Sequence, residues 1–492
     1  MQHSVLAATA PVASLGGHQL LVFLLQVSLL LGMAVLLGML ANRFGMPAVV
    51  GELAAGVVLG PTMLHKFVPG LSDWLLPHDT NQMHLLDAVG QLGVLLLVGS
   101  AGCQLDLSLI RRHKRGVGWV GAGALIVPLA VGILTGLLLP HALRPAGTDH
   151  AEFAVFIGVA VCISAIPVIA SALMQMGLYD RTIGQLIMGS AAVDDIIGWL
   201  LLSVLSATAT TGFRMGALGK PIGYLALILL ITVTIARPVI RLVLRLTNAA
   251  ANPGIRVAVL VVLLVLCGAG SQAAGMEPIL GAFLGGLVIG SSGLLDRSAA
   301  LAVRTVVLAV LAPLFFATAG LRVDLGSLGK PAVLVSGLIL LAVAIVTKFV
   351  GSYLGARIGR LSHWQGVALG AGLNARGVVE LIVAVVGLRL GVLNSASYTV
   401  IVLIAVLTSM MAPPLLRLAV GRMPAEPLTA NELALTEQAP TELGSTDWLS
   451  TDQTSANRSS TRRTPTERTK NSQPADLSDR AGKQDLATEV TP

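Results

Sequence analysis

The chain has 492 residues, of which 54% are hydrophobic and only 12% charged, a balance that excludes an ordinary water-soluble domain and makes lipid its solvent. Its net charge of +7 comes in short basic clusters between apolar stretches, without the basic and aromatic stripe of a nucleic-acid binder, so no nucleic acid is expected as partner. Cys103, Cys162 and Cys267 stand alone inside apolar runs, which excludes a disulfide framework or a thiolate metal site and predicts inert core thiols.

Residues 1–17 hold no Lys or Arg, so they lack the charged region of a secretory signal, and the first apolar run is predicted to be a retained helix. Crossing a hydrocarbon core of roughly 30 Å takes about 20 apolar residues. Counting such runs predicts an all-α membrane protein with about 13 transmembrane helices. They fall at 19–41, 47–64, 85–104, 116–139, 153–177, 182–211, 222–246, 255–274, 278–292, 298–321, 331–355, 364–388 and 396–420. With 54 glycines against 4% aromatics, these helices are expected to meet through small residues.

Alternate loops, beginning with that of Arg43, carry roughly 16 Lys and Arg, among them Arg111, Arg112, Lys114, Arg115, Arg237, Arg241 and Arg245, against about 7 in the others. The rule that basic loops stay inside then places the N-terminus outside and the C-terminal tail in the cytoplasm of a plasma (inner) membrane.

VVGELAAGVVLG at 49–60 is echoed by ILGAFLGGLVIG at 279–290, AGCQLDL at 101–107 by AGLRVDL at 319–325, and GVAV at 158–161 by GVAL at 366–369. Three echoes in one order predict two repeats of five helices. An odd number of spans separates their starts, so the repeats are inverted, as in many secondary transporters. The expected organisation is an N-terminal segment with the first helix (1–46), a first repeat (47–211), linker helices (212–277), a second repeat (278–420) and a disordered cytoplasmic tail (421–492). The tail is rich in Thr, Ser, Pro, Glu and Arg and has no Gly-x-Gly-x-x-Gly after a strand pattern, so no nucleotide-binding domain is expected.

An ionised side chain at the bilayer centre costs at least about 2.5–3.5 kcal/mol, so the few mid-span charges mark the site. They are Asp194 and Asp195, Lys348, and Arg376 with Glu380. Glu52, Glu277 and Arg322 fall nearer span ends, where they are expected to snorkel to water. Neighbouring helix residues diverge by about 100°, so the two aspartates need different partners: one pairs with Lys348, the other faces an aqueous funnel where a cation and a proton compete for the same oxygens. Spans 153–177 and 364–388 carry helix-breaking sequence at Ser164 to Pro167 and at Gly370 to Gly377, including Asn374, so two broken, crossing helices are expected there. Arg376 and Glu380, four residues apart, can pair. The plainer alternatives are a buried ion network that only holds helices together and a simple kink.

PAVVGELAAGVVLGP, LAPLFFATAGLRVDL, AAVDDIIGW and LNARGVVELIV together resemble the monovalent cation:proton antiporter-2 family over residues 19–420. The resemblance implies a homodimer with a scaffold and a mobile core. It also implies Asp195 as the ion- and proton-binding carboxylate, with Asp194 as its partner paired to Lys348. The expected function is exchange of Na+ or K+ for H+ by alternating access, with no cofactor and no enzymatic reaction. The alternatives are a cation channel without proton coupling and an intramembrane aspartyl protease. The second needs its two aspartates on different helices, whereas these are adjacent.

Overall fold

The computed structural model describes residues 16–76, 80–105, 114–179, 181–211, 219–248 and 252–423; the expected tail beyond 423 and the basic residues 111–113 lie outside them. Proline and glycine punctuate the helices. Proline occupies the first turn of the helices Pro253–Ala273, Pro278–Gly290 and Pro331–Ile358, where its missing N–H costs nothing. Gly45 and Gly275, at φ 74°, let the chain reverse after the helices Gly17–Arg43 and Pro253–Ala273.

In chain order the helices are α1 (Gly17–Arg43), α2 (Ala48–Leu59), α3 (Leu64–Phe67), α4 (Pro69–Leu75), α5 (Thr80–Gln104), α6 (Lys114–Leu138), α7 (His150–Cys162), α8 (Ile166–Gln175), α9 (Thr182–Thr211) and α10 (Gly219–Ile231). There follow α11 (Arg237–Asn248), α12 (Pro253–Ala273), α13 (Pro278–Gly290), α14 (Arg297–Val306), α15 (Ala312–Gly320), α16 (Pro331–Ile358), α17 (His363–Leu373), α18 (Val378–Arg389) and α19 (Ser395–Val420). Single π-helical turns join α10 to α11 and α14 to α15.

Among the described residues, ten helices are long and apolar enough to cross a membrane, and α17 with α18 forms one more span bent by 45°. Of the about 13 expected spans, three are not among these ten helices, and two of the three are the spans expected to be broken. The run 153–177 is interrupted between α7 and α8, and 364–388 between α17 and α18. The 13 residues of α13 reach only about 20 Å at 1.5 Å per residue.

Helix packing falls into two groups. One comprises α1, α2, α5 and α12 to α15; the other comprises α6 to α9 and α16 to α19. In the second, α16 lies against α6 at glycine: a Cβ on Gly123 would stand 2.2 Å from the Gly351 carbonyl oxygen. Only hydrogen there lets the backbones approach so closely, and this contact carries Lys348 into the interior. Between the groups, α9 packs on α13, with the buried rings of Trp199 and Phe283 at 6.3 Å between centroids.

Candidate ion-binding site

Two interruptions cross inside the second group. After α7, Ile163 and Ala165 are extended and α8 restarts with proline in its first turn. After α17 the chain passes through Asn374 to Gly377 before α18 begins. The Ala165 N–H donates to the Ala375 carbonyl at 3.1 Å, so the two non-helical stretches satisfy each other where no water is at hand. A Cβ on Gly377 would meet the Val168 side chain at 2.9 Å, which makes glycine a condition of the crossing. Pro167 lies in the first turn of α8; its side chain falls outside the described residues.

A helix that stops in the membrane leaves its last carbonyls unpaired, with the negative end of its dipole exposed. At the end of α7 two cations cover them. Lys348 donates to the Cys162 carbonyl, to the Ala124 carbonyl at 3.1 Å and to Asp194 Oδ2 at 2.6 Å. Arg376 donates to the carbonyls of Val161, Ala160 and Ala344, the last two at 3.2 Å, and to Glu380 Oε1 at 3.3 Å. Ser409 on α19 donates to the Arg376 carbonyl. Ser164 Oγ lies 2.9 Å from both Asp194 Oδ2 and the Leu373 carbonyl, and its one proton serves either.

Asp195 is treated differently. It is 5% exposed, neither Lys348 nor Ser164 bonds to it, and its Oδ1, like that of Asp194, has no hydrogen-bond partner among the described residues. Both polar atoms of the fully buried Asn374 side chain share that condition. Buried polar atoms are rarely left without a partner. The buried set holds two cations, Lys348 and Arg376, and three carboxylates, Asp194, Asp195 and Glu380. With all five ionised, one negative charge remains.

The geometry thus joins Asp194, Lys348, Ser164, Arg376 and Glu380 in one network, with Asp195 and Asn374 adjoining it in sequence. The backbone acceptors of Lys348 and Arg376 were beyond sequence reasoning, because any residue supplies a carbonyl. Three charges expected near water differ. Glu277 is 4% exposed and paired with Arg389, Arg322 pairs with Asp87, and Glu52 is half-buried. The partners of Glu277 and Arg322 lie far away in sequence, so span position alone could not reveal them.

A cavity of about 550 Å³ opens beside the crossing. Its walls are the turn from Asn42 to Val49, together with Val168 and Ala172 of α8, Val378 of α18 and Pro413 of α19. It separates the first helix group from the second at the face where α1 ends.

A family profile described as "Sodium/hydrogen exchanger, transmembrane" matches residues 30–420. The Na(+)/H(+) antiporter NhaS4 of Synechocystis is 31% identical over 403 residues, covering 81% of this chain and 97% of that protein. The Na(+)/H(+)-K(+) antiporter GerN of Bacillus cereus is 27% identical over 407 residues, covering 81% and 96%. The sodium proton antiporter MjNhaP1 from Methanocaldococcus jannaschii shares the fold, with a TM-score of 0.60 at 15% identity over 81% of this chain and 96% of that one. With its broken helices crossing beside buried carboxylates and the family profile matched over nearly all its spans, the chain belongs to the sodium/hydrogen exchanger family.

Proposed function

We propose that the protein is a secondary active antiporter that exchanges Na+ or K+ for H+ at Asp195. The observation that carries this reading is the contrast between the two aspartates. Asp194 is held through Oδ2 by Lys348 and Ser164, whereas the neighbouring Asp195 has no such cation or hydroxyl among the described residues; one oxygen of each, Oδ1, is buried without a hydrogen bond. A proton or a monovalent cation there removes the surplus negative charge, and each excludes the other from the same oxygens. Asn374 offers a further oxygen without a proton of its own to lose, which suits a cation released from water. Asp194 holds Lys348 in place, and Arg376 with Glu380 steadies the crossing. Channel and protease readings lack this support, and antiport is also what the names of NhaS4 and GerN state of those proteins.

Two inverted repeats support alternating access. Close contacts recur at one sequence offset: a Cβ on Gly51 would stand 2.0 Å from the Leu37 carbonyl oxygen, and one on Gly281 2.1 Å from that of Cys267. The exchange is reciprocal between repeats. Gly56 presses on the Ala317 carbonyl and Gly286 on that of Gly99, two positions that each stand two residues before the echo AGCQLDL/AGLRVDL. The repeat therefore reaches one helix further than the echoes alone imply, pairing α1 with α12. We read the first helix group as the scaffold of a homodimer and the second as the mobile core, in a plasma membrane with the cavity on the cytoplasmic side.

The test is cation-induced proton movement in proteoliposomes, run with Na+, K+ and Li+ in turn, for the wild type and Asp195→Asn. Cation-dependent proton flux is expected in the wild type only. Flux retained in a well-inserted Asp195→Asn protein removes Asp195 from the site, and cation flux without pH change favours a channel.

A further inference from the structure

On the face opposite the cavity, Glu277 immediately precedes α13 and Arg389 ends α18. The two side chains form an ion pair, with Glu277 buried and Arg389 partly exposed. Ser206 of α9 donates to Glu277 Oε2 at 3.4 Å, and Ser271 of α12 holds the Glu277 carbonyl at 2.9 Å. The pair thus binds the first helix group, through α12 and α13, to two helices of the second.

A second contact lies beneath it. Trp199 stands one helical turn from Asp195, on the same side of α9, and its ring meets Phe283 of α13. Both are about 2% exposed. From Asp195 toward this face, α9 therefore presents a ring pair and then an ion pair, both bridging the helix groups. Toward the other face, the turn from Asn42 to Val49, related to the Gly275 turn by the repeat offset, borders an open cavity instead. The far face also holds a cavity of about 570 Å³, but its lining, Pro61, Thr62, Leu321 to Asp324, Leu388 and Ser395, lies at helix ends and includes no residue of the crossing.

We infer that Trp199–Phe283 and Glu277–Arg389 form a two-tier closure that seals the Asp195 site from the face opposite the cavity and must part for the ion to leave there. This deepens the antiport reading and rests on it for its meaning. The four are positioning residues, since none is placed at the ion. Rupture of the ion pair leaves Glu277 with Ser206, so the closed arrangement loses a bond that the opened one lacks anyway, and the population shifts toward the opened state.

The test is thiol labelling of the full chain in nanodiscs, with Cys103, Cys162 and Cys267 replaced by alanine. One probe is Ser203→Cys, buried between the two tiers on α9; the other is Ala48→Cys, on the cavity wall. In the otherwise unaltered protein, Ala48→Cys labels fast and Ser203→Cys slowly. Glu277→Gln and Arg389→Gln should each raise labelling at position 203 by up to about tenfold, as expected for a tenfold shift of the equilibrium, and lower it at position 48 only by the fraction of the population that opens. The charge-reversed pair Glu277→Arg with Arg389→Glu should bring both rates back toward the starting values. Unchanged labelling at position 203 overturns the proposal, and so does a rise at 203 accompanied by a rise at 48, which shows only a loosened bundle. If the ion-pair variants fail to insert, Phe283→Leu gives the same comparison on the inner tier. Labelling does not depend on transport, so a protein that labels as expected but moves no protons fails the antiport reading alone.

Discussion

Removing Lys348 should expose how the crossing is held together. Its ammonium is fully buried and serves three acceptors, the Asp194 carboxylate and the carbonyls of Ala124 and Cys162. Lys348→Met keeps much of the volume and removes every donor. Asp194 is then a buried charge held by Ser164 and its helical surroundings. Breaking a buried pair on one side costs about 3–5 kcal/mol, and the orphaned carbonyls place the loss toward the upper end of that range. Asp194→Asn in the same chain removes the uncompensated charge, so the double variant should recover about 1–3 kcal/mol relative to the sum of the singles. The assay is reversible unfolding from mixed micelles by titration with a denaturing detergent, for wild type, both singles and the double. Additive losses would refute the claim that Lys348 and Asp194 stabilise the fold as one unit, and a Lys348→Met protein as stable as wild type would refute the role of the ammonium altogether.

If Lys348 also releases a proton during the cycle, exchange moves net charge: Lys348→Gln should leave a slower exchanger insensitive to membrane potential, or none, and Lys348→Arg should keep the pair but lose the release, since a guanidinium stays charged. Exchange measured at several imposed potentials checks this, and a potential response unchanged in both variants makes Lys348 a structural partner only. Asp296, at the loop before α14, accepts from the Ser298 hydroxyl and N–H and pairs with Arg256 at 2.8 Å; those bonds from Ser298, more than the Arg256 charge, hold its carboxyl below the usual range. A depressed value means its contribution is complete above about pH 3.9, the ordinary Asp value, and is lost only as pH falls through the lower folded one. Asp296→Asn should therefore leave the shape of the exchange profile between pH 5 and 9 unchanged, and a shifted profile measured in proteoliposomes would show that this loop takes part in pH sensing.

Much of this architecture is legible in the sequence because lipid imposes simple conditions. A charge needs a reason to lie mid-span, so Asp194, Asp195, Lys348, Arg376 and Glu380 stand out at once, and the structure buries all five. Helix breakage is legible too, since Pro167 lacks the N–H that a helix interior needs and the glycines around Asn374 weaken a helix. Pairing is a different matter. Which aspartate Lys348 meets depends on the rotation of α9 and on the depth of the Gly123–Gly351 contact, which are set by packing across more than 200 residues of sequence. Glu277 shows the limit clearly. Its place at a span end is compatible with water, and only the fold brings Arg389, 112 positions away, to cover it.

The placement of charge around the crossing also bears on why transport would be coupled. Lys348 and Arg376 are anchored by the C-terminal end of α7 as well as by carboxylates, so neither is free to follow Asp195. The surplus negative charge of the unloaded site consequently stays at Asp195, and carrying an ionised, unpaired carboxylate through the low-dielectric contact between the helix groups is costly. A proton or a monovalent cation removes that cost to a similar degree, because each cancels one unit of charge. On the proposed reading, the core crosses readily when loaded with either ion and poorly when empty, and this is the condition for exchange without leak. A divalent cation would leave the same site with a positive surplus, so the charge count at the crossing favours monovalent substrates before any difference in ionic radius is considered.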